Sequence, residues 1–575
     1  MAVKVADYIL GRLAEEKVDT IFLVYGGAIG ELVDAIGRQD KIKYVATMGE
    51  QCAGFAAEGY AKTRHHLGVA LATSGPGGGN LMTAIQNCYY DSVPVLFITG
   101  QVNTQFMRKD KSMRQLGFQE TDIVGMAAPI TKYAKTLKDP KEIRLEVERA
   151  ITIALSGRPG PVLLDIPTDV AKMPIDATDP WPPGHIFDAK YDNPANAIVS
   201  FLADLRASEK PVILIGGGCA NNKEEVYALL DKLRIPAFPT WNGLDIVSSD
   251  LPNYGGRVGT YGGPGRNFGI QNCDLLLAIG SRISGRITGG QPHTFAPNAK
   301  KYYVDVDRGI LNKKNQEVPA NVNIYCSAGW FMLELTKVCG IVSRPRWMSR
   351  VRNWRNKYDP VKAIPYGWHH YHFMRKMSEA MPSNAIITAD TGGNVIMFAH
   401  AFQTKKGQRY FTNNGNTPMG FSMAAAIGAW FADPTRPVVC IIGDGGFQFN
   451  IQELQTIKHY KIPLKVFVFN NKCLGNTKIY QKENFGGRYA ACGPDGYSCP
   501  DFVAIARAYG LEAYRADSAS HYDAIPHILA YNGPVVIDVV HDDFCDYLPK
   551  MVRWDKGIEC MTPDLPDSEM KENME

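Results

Sequence analysis

Short apolar runs alternate with stretches of helical period along the whole chain, and the alternation recurs in three successive sets. In the first, "VDTIFLVYGG", "IKYVATM", "LGVALATSGPGGGN", "SVPVLFITGQ" and "GPVLLDIP" predict strands, each running into small residues before a helix. The second holds "KPVILIGGGCAN", "CDLLLAIGSRI" and "KKYYVDVD"; the third holds "NAIITADTGGN", "RPVVCIIGDGG", "PLKVFVFNNK" and "GPVVIDVVHD". Apolar strands separated by helices build parallel sheets covered on both faces. A Pro- and Asp-rich run around residues 166–193 predicts a linker, and the basic, polar run "SRPRWMSRVRNWRNKYDP" predicts a second boundary near 343–360. The expected architecture is α/β, with three consecutive open parallel-sheet domains over 1–175, 190–342 and 360–548 and a C-terminal tail over 549–575. In such sheets ligands gather at the carboxyl ends of strands, so chemistry is to be sought at the glycine-rich strand exits.

A chain of 575 residues is too long for one core and accommodates roughly three domains of about 150–200 residues. A net charge of +4 without a basic stripe gives no case for nucleic acid. The twelve cysteines include no CxxC pair, and Cys492 and Cys499 lack zinc spacing, so reduced thiols are expected. The N-terminus "MAVKVADYILGRLAEEKVDTIFLVYGG" reads as an amphipathic helix and a strand rather than a leader. No apolar run reaches the ~18 residues of a membrane span, and a cytoplasmic protein is expected.

Two strand exits carry the strongest chemistry. "PVVCII" delivers Asp444 between Gly443 and Gly445, an amphipathic helix "FNIQELQTIKHY" follows, and "LKVFVF" then delivers Asn470 and Asn471. If those strands are neighbours, a carboxylate and an amide oxygen, with a backbone carbonyl and water, form an oxygen site suited to Mg2+. Glycines beside Asp444 let a diphosphate approach the backbone at a helix N-terminus. A turn Asp with a strand-end Asn pair is the plainer alternative.

This segment closely resembles the diphosphate–Mg2+ motif of thiamine-diphosphate enzymes, and the resemblance extends over nearly the whole chain, nearest to the acetolactate (acetohydroxyacid) synthase group. It implies a metal held by Asp444, Asn471 and the carbonyl of Cys473. Thr391, Gly392, Gly393, Asn394, Gly443, Gly445, Gly446, Leu474 and Gly475 would surround the diphosphate. In "YVATMGEQCAGFAAEGYAK", Glu50 takes the place of the family's carboxylate on N1′ of the aminopyrimidine; a helix-start carboxylate is the structural alternative. Gly26, Gly27 and the loop "TSGPGGGN", with Thr73, Pro76 and Asn80, would approach the ring. Met419 in "NTPMGF" matches the residue that props the cofactor into its bent form, a core Met being the alternative.

"GFQETDIVGMAAPITKYA" places Phe118, Gln119 and Lys132 at the reaction site by the same resemblance. Simple pyruvate decarboxylases carry a His-His pair where this chain has Phe118-Gln119, and loss of that proton donor favours carbon–carbon bond formation over aldehyde release. "LIGGGCAN", "GRVGTYGGPGRN", "GSRISGRITGG" and "YYVDVD" resemble flavin-binding segments and imply FAD, in a structural role, at Gly217, Gly218, Gly262, Arg282, Arg286, Thr288 and Asp305. The family builds each site from two subunits, which implies a homodimer or homotetramer.

Two departures bear on substrate. The segment "QVNTQFMRKDKSMRQLGFQ" is longer than the synthase pattern and carries Arg108, Lys109, Lys111 and Arg114; Asn476 and Tyr480 replace the usual Met and Trp. These features look more like the synthase-like carboligases of bacterial deoxysugar pathways. The resulting expectation is pyruvate as donor and a ketone acceptor, first a keto-sugar nucleotide, with a second 2-oxo acid as the alternative and a non-catalytic cofactor-binding partner as a third reading.

Overall fold

The computed structural model describes residues 2–176 and 190–575. Three parallel sheets follow one another, as the alternating pattern requires. The first orders its strands Lys43–Ala46, Thr20–Leu23, Gly68–Ala72, Val95–Gln101, Val162–Pro167 and Tyr133–Thr136. The central sheet runs Ala237–Pro239, Pro211–Ile215, Leu275–Ile279, Lys300–Asp305 and Val322–Tyr325. The third runs Arg409–Thr412, Ile386–Ala389, Val438–Gly443, Lys465–Asn470, Val535–Val540 and Glu512–Ala516. Inner strands such as Val95–Gln101 and Lys465–Asn470 are buried along their whole length, which explains continuous apolar runs in place of strict alternation.

All three sheets share one topological feature. The chain leaves Thr20–Leu23, Pro211–Ile215 or Ile386–Ala389 toward one edge, then returns to place Gly68–Ala72, Leu275–Ile279 or Val438–Gly443 on the other side. At such a switch point the loops diverge and leave a crevice for a ligand. The sequence-derived candidates emerge there: Gly26, Gly27 and Thr73 in the first sheet, Gly217, Gly218 and Arg282 in the second, and Gly392, Gly393 and Gly443 to Gly446 in the third.

Several sequence expectations need correction. The linker around 166–193 begins too early: Val162–Pro167 is a buried strand, Thr168–Lys172 a helix, and Pro174–Asp176 pairs antiparallel with Ala2–Lys4. Its middle, 177–189, lies outside the described residues. The run near 343–360 contains a helix, Pro345–Lys357, because Trp347, Val351 and Trp354 recur at helical spacing and bury one face in the central core. The 549–575 segment is no free tail. Arg266 donates to the carbonyls of Met561 and Pro563, Met551 N donates to Thr260 O, and the helix Asp567–Met574 presents Asn573 to the Trp354 indole at 2.7 Å. The helix expected over "FNIQELQTIKHY" is broken at Asn450, whose side chain donates to Gly420 O (2.9 Å), giving Asp444–Phe449 and Glu453–His459.

The first and third domains meet through helices Glu50–Arg64 and Phe421–Ala432, both rich in Gly and Ala. A Cβ on Gly59 would fall inside the Ala425 carbonyl, and one on Gly428 inside that of Ala56, so the backbones touch. Buried charge closes the junction. Lys62 bridges Glu58 (2.7 Å) and Asp91 (3.2 Å), while Arg409 (2.8 Å) and Lys223 (2.7 Å) both reach Asp245, joining the third domain to the central one. Burial alone would raise the Asp245 carboxyl, but the two cations more than offset it and hold it below the usual carboxylate range. Gly428→Val should therefore lower the thermal midpoint measurably, with a cost of about 1–3 kcal/mol or more from overpacking. A differential scan showing no change would mean the two helices can separate freely.

Candidate active site

The Glu50 side of the site is built by backbone proximity. Gly49 is extended, the helix starts at Glu50, and Asn80 Nδ2 donates to Glu50 Oε2 at 3.0 Å. The other oxygen, Oε1, stands 3.5 Å from where a Cβ on Gly77 would lie, so a side chain there would crowd the carboxylate. Ala28 N donates to Thr73 Oγ1 (3.3 Å), and a Cβ on Gly26 would collide with Thr73. Gly26, Gly27, Thr73, Asn80 and Glu50 thus form one cluster, with Pro76 opening the short helix of the intervening loop. Gly75, at φ +65°, faces Gln119. Phe118 is 87% exposed beside it, an apolar side chain left uncovered by the described residues.

The Asp444 side meets the condition set by its sequence. Val438–Gly443 and Lys465–Asn470 are paired in parallel with Gly443 opposite Phe469, so Asp444 and Asn471 leave adjacent strands at the same edge. Asp444 is only 4% exposed, and burial pushes its carboxyl up to about 6. Among the described residues no cation offsets that burial; Oδ2 accepts from the Cys499 thiol at 3.1 Å, and the Tyr497 hydroxyl and Gly445 amide also donate to the carboxylate. Asn471 Nδ2 donates to Phe544 O (2.7 Å) and Tyr547 Oη (3.3 Å), which orients the amide oxygen toward Cys473. A buried carboxylate without a cation, next to a fixed amide oxygen, suits a divalent cation. Among the described residues no cluster of three or more His, Cys, Asp or Glu offers another metal site.

Three of the surrounding glycines leave little room for a side chain. A Cβ on Gly393 would strike the Tyr547 hydroxyl, one on Gly446 the Asp390 carboxylate, and one on Gly445 would stand 2.7 Å from Met419 Cε. Leu474 packs on the same Gly445, Gly475 lies against Asn471, and Asn394 donates to Asp390 O at 2.6 Å. Met419 therefore faces the glycines from across the crevice. No hydrogen bond among the described residues joins the Glu50 cluster to the Asp444 cluster.

Each of the three domains matches a family model. Residues 3–126, 198–335 and 390–539 match the thiamine pyrophosphate enzyme N-terminal, central and C-terminal domain models, respectively. A probable acetolactate synthase large subunit of Methanocaldococcus jannaschii is 34% identical over 94% of this chain and 92% of its own length. The acetolactate synthase isozyme 2 large subunit of Escherichia coli is 32% identical over 99% of both, and the large subunit of Cyanidium caldarium 32% over 92% of both. The chain belongs to the thiamine-pyrophosphate-dependent acetolactate synthase family. It is accordingly a carbon–carbon bond-forming thiamine enzyme, and the scaffold reading falls away.

Against that family background, one expected site residue is placed elsewhere. The Lys132 ammonium donates to the carbonyls of Ile153 and Ser156, at the end of helix Ile143–Leu155, and is committed there. Burial lowers it to about 8, but its role is to satisfy unpaired helix carbonyls. Arg108 is likewise engaged: it pairs with Asp122 at 2.8 Å and reaches Met113 O, while Glu120 accepts from the Arg108 and Leu116 amides. Lys109, Lys111 and Arg114 are exposed.

In the central domain Gly217 packs on Asn242, and Gly218 on Gly280. Asn267 fills the space a Cβ on Gly262 would need, Arg286 lies 5.2 Å over the Trp241 ring, and Thr288 is buried. Arg282 is exposed, and Asp305 ends the neighbouring strand. Asp390, by contrast, escaped the sequence reading although it stands at a strand exit in "ITADTGGN". Fully buried and pushed up to about 7 by burial, it accepts from Gly420 N at 2.8 Å and anchors the Met419 loop.

Asp444 supplies a pH test. In cofactor-free protein its carboxyl is raised from 3.8 to about 6, so the native state holds a proton there through that window. The group therefore opposes folding increasingly as pH rises toward 6, whereas a bound cation requires the ionised form and reverses the sign. Mg2+ with thiamine diphosphate should raise the melting temperature more at pH 7.5 than at pH 5. In Asp444→Ala most of that difference should vanish. An equal shift at both pH values in the wild type would exclude Asp444 as a ligand.

Proposed function

We propose that the chain decarboxylates pyruvate and joins the remaining two-carbon unit to the keto carbon of a second 2-oxo acid, as an acetolactate synthase. Relatives that match 92–99% of the chain carry that name, and this observation carries the reading. Thiamine diphosphate, when bound, supplies the carbon that attacks the keto group and accepts the electrons released with CO2. Asp444, Asn471 and the Cys473 carbonyl would hold Mg2+, with Gly392, Gly393, Gly445 and Gly446 against the diphosphate. Glu50, with Oε2 fixed by Asn80, would hold or release a proton at its carboxylate toward the aminopyrimidine. Phe118 and Gln119 offer no acid to the reacting carbon, which leaves it free for a carbonyl acceptor. FAD belongs to the same reading, in a structural role at the central switch point, supported by the glycine turn Gly217–Cys219 and by Arg286 stacked on Trp241. The large-subunit names of the relatives support subunit assembly, and a homodimer or homotetramer is the form this reading takes.

A keto-sugar nucleotide remains the second reading, favoured by one observation: Lys109, Lys111 and Arg114 are exposed on the loop that leads to Phe118. Its weight is reduced because Arg108 is spent on Asp122. Purified protein given pyruvate alone, with Mg2+ and thiamine diphosphate, should form acetolactate, detected by mass spectrometry. CO2 release without acetolactate, together with a product formed only on adding a nucleotide keto-sugar, would reverse the two readings.

Glu50→Gln keeps the shape of the site but loses the carboxylate. Turnover of pyruvate should fall by about 10²–10⁴, the range for a general acid–base group. Near-normal hydrogen–deuterium exchange at thiamine C2 in this variant would remove Glu50 from the mechanism.

A further inference from the structure

The helix that carries Glu50 has no side-chain cap of its own: Gly49 occupies the N-cap position and can offer none. Helix N-termini leave several amides without partners, and a carboxylate is the strongest group to receive them. Here that carboxylate comes from another domain. Glu453, at the start of Glu453–His459 in the third domain, accepts from Met48 N at 2.9 Å through Oε1. The Gly49 amide and the Cys52 thiol also donate to it, and Thr456 Oγ1 holds its second oxygen at 2.6 Å. Glu453 is fully buried.

The surrounding contacts fix the same short stretch. Ala46 N donates to Tyr460 Oη at 2.8 Å, Thr47 Oγ1 donates to Gly49 O at 2.9 Å, and Gln452 Nε2 lies 3.9 Å from the Cβ position of Gly49. Residues 46–49 are therefore clamped between the first sheet and the helix that follows the Asp444 turn. Glu50 is the next residue, so the direction of its side chain is set by this clamp.

We infer that Glu453 is a positioning residue for Glu50: a buried carboxylate of the diphosphate-binding domain that caps the Glu50 helix and aims the Glu50 carboxylate. The inference rests on the reading of Glu50 given above. It makes the segment "FNIQELQTIKHY" more than a covering helix, because the residue three positions after Asn450 reaches the other half of the chemistry. Glu453 touches neither Asp444 nor the diphosphate glycines, so its loss should leave cofactor affinity alone.

Three variants, with Glu50→Gln as reference, and three readouts test this. In cofactor-free Glu453→Ala, amide exchange of the peptide spanning 46–53, followed by mass spectrometry, should quicken at least about tenfold. Glu453→Gln, which keeps an acceptor oxygen for Met48 N, should restore most of the protection. Pyruvate turnover should fall about 10- to 100-fold in Glu453→Ala, while the thiamine diphosphate dissociation constant, from calorimetry, stays within about twofold. A merely structural carboxylate would weaken cofactor binding and turnover together, and that result would overturn the inference. Unchanged exchange and turnover would do the same. Should Glu453→Ala fail to fold, Thr456→Val, which frees one Glu453 oxygen, should give the same split on a smaller scale; no split there counts against the proposal. Glu50→Gln serves as the reference. If it keeps full turnover, the Glu50 reading fails and takes this one with it. If it slows while Glu453→Ala does not, only the positioning role is lost.

Discussion

The structure depends first on how closely helix Glu50–Arg64 approaches helix Phe421–Ala432. Backbone contact at Gly59 and Gly428 leaves no room for a side chain on either. Interiors pack at crystal-like density, so such a crossing fixes two domains relative to one another with little freedom to slide. The same Glu50 helix then serves at both ends. Its first residue belongs to the candidate chemistry, and its later turns carry Glu58 and Lys62 into the buried charge network. Any change in the crossing would be felt at Glu50.

The buried charges at that junction are a costly form of adhesive, since desolvating an ion pair can outweigh the attraction between its members. Glu58, Lys62, Asp91, Asp245, Lys223 and Arg409 nevertheless line the seam among three domains. Removing one partner leaves another charge stranded, so each member of the seam depends on the others staying in place. That arrangement also holds the loop leading to Met419: Asp91 accepts from the Asn414 and Gly415 amides, and Asn414 donates to Asn242 beside the central glycine turn. Specific placement of that loop is the return on the electrostatic cost.

Much of this was legible in the sequence because it is written in short range. Apolar strand runs ending in glycine told the fold class, and switch-point loops such as "IGDGG" and "TSGPGGGN" carry their meaning within a few residues. The convergence of Asp444 and Asn471 could be stated as a condition, that two strands be neighbours, and the pairing of Gly443 with Phe469 meets it. What sequence could not supply were partners chosen by tertiary packing. Lys132 lies in a stretch shared with a family motif, yet its ammonium answers the nearest unpaired helix carbonyls. Arg108 appeared as one of four free cations until Asp122, fourteen positions later, was seen to neutralise it. The 549–575 segment looked like a tail because its few apolar residues are widely spaced; they are spaced to fit another domain, not one another.

Buried carboxylates show the same division between local signal and distant cause. Asp444, Asp390 and Glu453 are all raised above their ordinary range by burial, and none has a cation to offset it. For Asp390 and Glu453 the compensation is visible: each collects backbone amides from loops remote in sequence. A carboxylate that accepts several amides fixes the relative position of the segments that donate them, so these two pin the loop after Met419 and the turn before Glu50. Asp444 differs. It draws largely on side-chain donors, the Cys499 thiol and the Tyr497 hydroxyl, with the Gly445 amide, at the edge where two strands deliver their ends. None of those donors carries a charge, so the desolvation of Asp444 stays uncompensated, and a divalent cation bound at that edge would supply the opposite charge that burial withholds.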